Sequence, residues 1–242
     1  KSFISLLVNA AGVLLFTASL QPYAAVFLFV FNKDAFDVAS GMNFFKSFSP
    51  LHILWGIWLL DMLQQLIPVK AHISIGSQKV FPSLFKPIKE KINSENLKKH
   101  IKDSTLSAYK VMLIWIALTT VIALLYKLNI IDTATVVLIS VFFYVCDLIC
   151  VLIWCPFRLI MGNKCCTTCR IFNWDHLMMF SPFIAVKGFY TLSLFIIAFI
   201  IWLIWEICVF TYPERFWENS NMALKCSECT DKLCTQYCRK LR

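Results

Sequence analysis

Eleven cysteines in a chain of 242 residues carry most of its chemical potential. Seven of them form two knots. Cys165, Cys166 and Cys169 sit together in a polar stretch, and Cys226, Cys229, Cys234 and Cys238 sit in the C-terminal tail. Cys-x2-Cys spacing lets two thiolates reach one metal ion, a geometry that core packing does not call for. Lys164, Arg170, Lys225, Lys232 and Arg239 flank the knots and are expected to lower thiol pKa and offset thiolate charge. Disulfides and S-acylation are competing fates for such cysteines. The expectation adopted here is one shared site, with at least one of Cys165, Cys166 and Cys169 and at least two of Cys226, Cys229 and Cys234 on the same metal. The cofactor is Zn²⁺ or an iron–sulfur cluster. The tail lacks the ferredoxin run that would decide between them. Cys146, Cys150 and Cys208 read as small apolar packing residues.

A second set of candidates lies in apolar surroundings. Asp61, Gln65, Asp147 and Glu206 fall inside or at the ends of hydrophobic runs, where an ionisable group marks an ion site or proton relay unless it serves as interhelical glue. Asp61, Gln64 and Gln65 share one helical face, as do Tyr144, Asp147 and Cys150. Asp61 and Asp147 are expected to face each other or a common polar cavity. Asp175 is expected to cap a helix starting near His176, and His176 to be hydrogen-bonded in the core. With six glycines and no phosphate loop, a nucleotide site is not expected, and no hydrolase triad is visible.

The elements that position these residues are membrane spans. Hydrophobic residues make up 59% of the chain and charged ones 15%, with mean hydropathy +0.71, far from an ordinary soluble domain. Apolar runs near twenty residues predict an all-α, polytopic helical membrane protein. The run from Phe3 is too long for a cleavable signal and is expected to be a span, broken near Pro22. Residues 32–50 form a surface loop with an interfacial helix. Further spans are expected at 51–69, from Val111 to about Ile131, at 135–157 and at 191–212, with a tight turn at 128–134. The basic loop, 70–110, holds nine lysines against Glu90, Glu95 and Asp103, which places it in the cytoplasm. Its middle, 85–104, should form an amphipathic surface helix. If 171–186 crosses as a short, imperfect helix there are six spans, and otherwise five. Six is preferred, since the six Lys/Arg residues from Pro213 onward favour a cytoplasmic tail. The organisation is thus a transmembrane domain over 1–212, with a Cys-rich loop at 155–176, and a tail over 213–242 whose lead, Glu218–Lys225, reads as flexible.

Trp154-Cys155-Pro156 resembles the Cys-Pro elements of membrane-anchored polyferredoxins and of soft-metal pumps. The likeness covers three residues, without either family's other motifs, and assigns no family. The functional expectation is an integral, multi-pass protein, of the plasma (inner) membrane, with a cytoplasmic thiolate metal site for redox or metal sensing and handling. The alternative is a small proton- or cation-coupled transporter or channel using the intramembrane acids, with the cysteines as a clamp. Expected partners are the bilayer, anionic headgroups at the basic loop, and a second membrane subunit or further copies of the chain. The net charge of +9 is concentrated in that loop and tail, so nucleic acid is not an expected partner.

Overall fold

The computed structural model describes residues 22–67, 75–88, 93–152, 154–163 and 165–225. Among these the protein is all-helical: α1 (Pro22–Phe31), α2 (Leu51–Gln65), α3 (Ile75–Gln78), α4 (Ser94–Lys127), α5 (Thr133–Leu152), α6 (Phe157–Met161), α7 (Asp175–Phe180) and α8 (Phe189–Thr211), joined by short 3₁₀ turns. Three helices, α4, α5 and α8, are long and apolar enough to cross a membrane. Large apolar side chains stand exposed along them, among them Leu113, Val121 and Leu124 on α4 and Ile196, Phe199 and Ile207 on α8.

The helix boundaries differ from expectation at α4. In place of a surface helix over 85–104 followed by a span from Val111, one helix of 34 residues runs unbroken from Ser94, about 51 Å at 1.5 Å per residue. Nothing between Ser94 and Lys127 is Gly or Pro, so the polar start and the apolar end propagate as one element. Asn93 starts it by accepting the Glu95 N–H at 2.9 Å. Residues 85–88 stay out of it because Pro87 has no N–H and sits in a β-bridge instead. The following span also ends early, α5 stopping at Leu152 rather than at residue 157.

The chain divides into two compact units. The first holds the residues up to Ile67, Ala117–Cys146 and His176–Ile200. In it α2 buries Leu51, Leu54, Trp58 and Met62 at helical spacing. Trp58 meets Phe180 of α7 edge to face, centroids 5.1 Å apart. At Gly188 the backbone passes so close to Ala39 that a Cβ would lie 2.2 Å from the Ala39 carbonyl oxygen, so only glycine fits there. The turn after α4 matches the expected one. Asn129 adopts the left-handed conformation that closes a helix, and Asp132 caps α5 by accepting the Thr135 N–H at 2.9 Å. Burial opposes ionisation of Asp132, but hydrogen bonds from Lys33 and Thr135 outweigh it and bring the carboxyl down to about 2. Such an acid adds stability above the ordinary carboxylate range and loses it as pH falls towards 2. With side-chain exposures of 56% and 46%, the Lys33–Asp132 pair contributes little.

The second unit holds residues 68–116, Asp147–Asp175 and Ile201 onward. Its floor includes the tail lead, which is not the loose segment expected. Ile88 N–H donates to Ser220 O at 3.3 Å and Met222 N–H to Lys86 O at 2.8 Å, a short antiparallel bridge. Asn221, 2% exposed, holds it together. Its Oδ1 accepts from the Lys86 and Ala223 N–H groups at 3.2 and 3.1 Å, and its Nδ2 donates to Arg215 O at 2.9 Å. Asn221→Ala should therefore cost about 2–3 kcal/mol, through stranded buried backbone groups. Hydrogen exchange at 217–225 should rise in that variant before the rest of the protein is affected.

Candidate functional site

The second unit buries four charged side chains: Lys79, Arg170 and Arg215 as cations and Glu206 as the one anion among the described residues. Arg170 follows Cys169 and reaches Glu206 on α8, with Nη1–Oε1 at 2.7 Å and Nη2–Oε2 at 2.5 Å. Trp174 Nε1 donates to the same Oε1 at 2.8 Å, and Trp205 Nε1 donates to the Arg170 carbonyl at 2.8 Å. Two indoles and a bidentate pair thus lock the Cys-rich loop to α8. Arg170 Nε has no acceptor among the described residues.

Lys79 lies just after α3. Its Nζ donates to Cys169 O at 3.1 Å and sits over the rings of Trp205 and Phe216, at 5.0 and 5.7 Å. Burial drives its ammonium down to about 7, with nearby Cys169 pulling the other way. Arg215 completes the cations, donating to Val80 O at 2.9 Å and stacking 3.8 Å from the Tyr212 ring centre.

The cysteine loop is shaped by its threonines. Thr168 Oγ1 donates back to Cys165 O at 3.1 Å, and Cys169 N–H to Cys166 O at 2.9 Å, which folds 165–169 into one turn. The Cys155, Cys165 and Cys169 thiols lie within electrostatic reach of Cys166. The expected lowering of thiol pKa is absent here. Burial pushes Cys166 up to about 12 and Cys169 upward as well, more than the neighbouring cations offset. A polar cavity of about 250 Å³ adjoins the loop, lined by His100, Ser104, Asn163, Thr168, Arg170 and Phe216.

The first unit brings together three other candidates. His176, buried on α7, lies with Nε2 3.2 Å from Asp61 Oδ2 and Nδ1 3.0 Å from Gln65 Nε2. With the Gln65 amide donating to Nδ1, Nε2 carries the ring proton and donates to Asp61. The shared face of Asp61 and Gln65 is thus real, and His176 is what it meets. Asp147 belongs to the other unit, and α7 begins at Asp175 itself. Glu206 is the counter-ion of Arg170.

Among the described residues no three His, Cys, Asp or Glu side chains are arranged to hold a metal. Cys226, Cys229, Cys234 and Cys238 lie outside the described residues. No protein family, curated protein or solved structure matches this chain. Fold and site still define a class: an all-helical protein with three helices able to cross a membrane, whose second unit surrounds a cysteine loop with buried cations. Sequence reasoning found the cysteines and Glu206. It missed Lys79, Arg215, Trp174 and Trp205.

Proposed function

We propose that this is a six-span membrane protein that carries a thiolate metal centre, zinc or iron–sulfur, on the face bearing its basic loop, for redox chemistry or metal handling. The observation that carries this reading is the buried positive charge beside the cysteines: among the described residues Arg170, Arg215 and Lys79, the last brought down to about 7 by burial, stand against Glu206. Uncompensated buried charge is costly. Zn²⁺ bound by four thiolates is a dianion and would offset the excess, and a four-cysteine cluster is likewise anionic. The anchored tail lead supports the same reading. Lys225 belongs to the unit that holds Cys165, Cys166 and Cys169, and Cys226 follows it directly. The loop supplies at least one of Cys165, Cys166 and Cys169, and the tail at least two of Cys226, Cys229 and Cys234. The basic stretch of 70–110 would then lie at the cytoplasmic surface, within reach of anionic headgroups.

Elemental and sulfide analysis of the full-length protein, purified anaerobically, tests this. About one zinc per chain, or iron with equal sulfide and visible absorption, is the expected result. A protein with no metal ends the proposal. A second reading would then stand on the Asp61–His176–Gln65 cluster: proton- or cation-coupled transport, with the cysteines as a clamp. Topology has its own check. A membrane-impermeant thiol reagent applied to intact cells should leave Cys226–Cys238 unmodified, and rapid labelling from outside would restore five spans.

A further inference from the structure

The polar cavity beside the cysteine loop is a space that the metal reading does not use. It encloses about 250 Å³, and every residue lining it belongs to the second unit. Asp103, Ser104 and Ser107, spaced as one helical face, border it from α4. Met161 of α6, Arg170 after the cysteines and Phe216 in the turn after α8 complete the part that matters here. Two of these side chains are of opposite charge type. Asp103 is exposed to solvent. Arg170 is 4% exposed, with both Nη groups committed to Glu206. Its Nε is a buried N–H with no acceptor among the described residues. Such a donor is unfavourable until something accepts from it. Ser104 Oγ donates to Ile101 O at 3.0 Å, so its hydrogen is spent and it offers only lone pairs.

We infer that this cavity binds a small zwitterion of the amino-acid class, carboxylate towards Arg170 and ammonium towards Asp103 and Ser104. The carboxylate supplies the acceptor that Arg170 Nε lacks, and the ammonium supplies donors to a lining rich in acceptors. Met161 and Phe216 add apolar surface, which suits an amino acid with an apolar side chain. Each lone charge is disfavoured by one of the two residues. A simple anion meets Asp103 and a simple amine meets Arg170, and like charges repel across a contact. Size points the same way. The volume equals about eight waters at roughly 30 Å³ each, and it falls below the range of about 300–1,000 Å³ that holds drug-sized ligands. The site needs no metal, so it stands apart from the thiolate centre.

The test uses full-length protein in mild detergent, equilibrium dialysis with radiolabelled leucine, methionine or phenylalanine, and thermal midpoints measured in parallel. At least one of the three should bind saturably, at about one per chain, and raise the midpoint. If leucine does, leucinol, which lacks the carboxylate, and 4-methylpentanoate, which lacks the ammonium, should each compete about tenfold more weakly or worse. A hydrogen bond to a charged group accounts for a factor of that size. Asp103→Asn should weaken leucine about tenfold and leave 4-methylpentanoate unchanged, a contrast that general destabilisation does not produce. Ser107→Phe, which fills the space, should abolish binding while the protein still melts cooperatively. Saturable binding of none of the three amino acids overturns the inference. So does equal competition by leucine and its two analogues, displacement of leucine by inorganic phosphate at the same concentration, or unchanged binding in Ser107→Phe. A metal-free protein that binds leucine as described would refute the metal centre and leave this site standing, and a metal-loaded protein that binds none would do the reverse.

Discussion

Glu206→Ala should lower the thermal midpoint of the detergent-solubilised protein by roughly 10 °C, the largest stability loss expected from any single side chain outside the proposed metal centre. Removing one partner of a buried pair costs about 3–5 kcal/mol, since the other charge stays behind without compensation. In a chain of this size each kcal/mol moves the midpoint by about 2–4 °C. The carboxylate is 9% exposed and accepts from Arg170 twice and from Trp174 once, so its loss strands three donors. Glu206→Gln keeps an acceptor and should cost about half as much. The double replacement Arg170→Met with Glu206→Leu should recover most of the loss, because apolar groups of similar volume often substitute for a buried pair. The same treatment of Lys33 and Asp132 should change stability by less than about 1 kcal/mol. A Glu206→Ala protein that melts within about 2 °C of the parent would mean that the pair contributes nothing.

Cys169→Ser and Cys229→Ser should each empty the proposed metal centre, the larger of the two effects. Structural zinc binding releases on the order of 10 kcal/mol, and binding free energy of this kind acts as folding free energy. The loss should therefore be visible as structure: limited proteolysis should begin cutting beyond Lys225 while Glu218–Lys225, held by Asn221, stays protected. Cys208, on α8 and outside both knots, is the control, and Cys208→Ser should keep the metal. Because burial holds the Cys169 thiol protonated, binding must also release protons, and affinity should fall with decreasing pH. Retention of metal by both knot variants would sink the shared site.

The three long helices were legible because their apolar runs exceed what any soluble fold needs, and the 128–134 turn because Asn129 and Asp132 are the residue types that end and start helices. The face carrying Asp61 and Gln65 followed from spacing alone. Its partner did not, since His176 lies 115 residues from Asp61 and nothing local points across that distance. Lys79 was hidden for a different reason. A lysine among eight others reads as solvated, and only the tertiary placement of Trp205, Phe216 and the Cys169 carbonyl makes a buried site for it. The polar half of α4 was read as a separate surface helix because its composition changes near Val111, but helices end at breakers and caps rather than at changes of hydropathy. The lead to the tail looked loose because its residues are polar. Asn221 shows that polar side chains can hold a segment as firmly as apolar ones when they satisfy buried backbone groups.

The bridge between Lys86–Ile88 and Ser220–Met222 sets an order on the protein's own synthesis. Residues 86–88 leave the ribosome long before residues 220–222, at about 5–20 residues per second, so the basic loop waits several seconds or more without its bridging partner. It can close only after α8 and the turns beyond it have been made. A chain truncated before Ser220 would keep every long apolar helix and still leave this loop edge open to proteases. Closing that edge therefore falls to Ser220–Met222, which follow every long helix described.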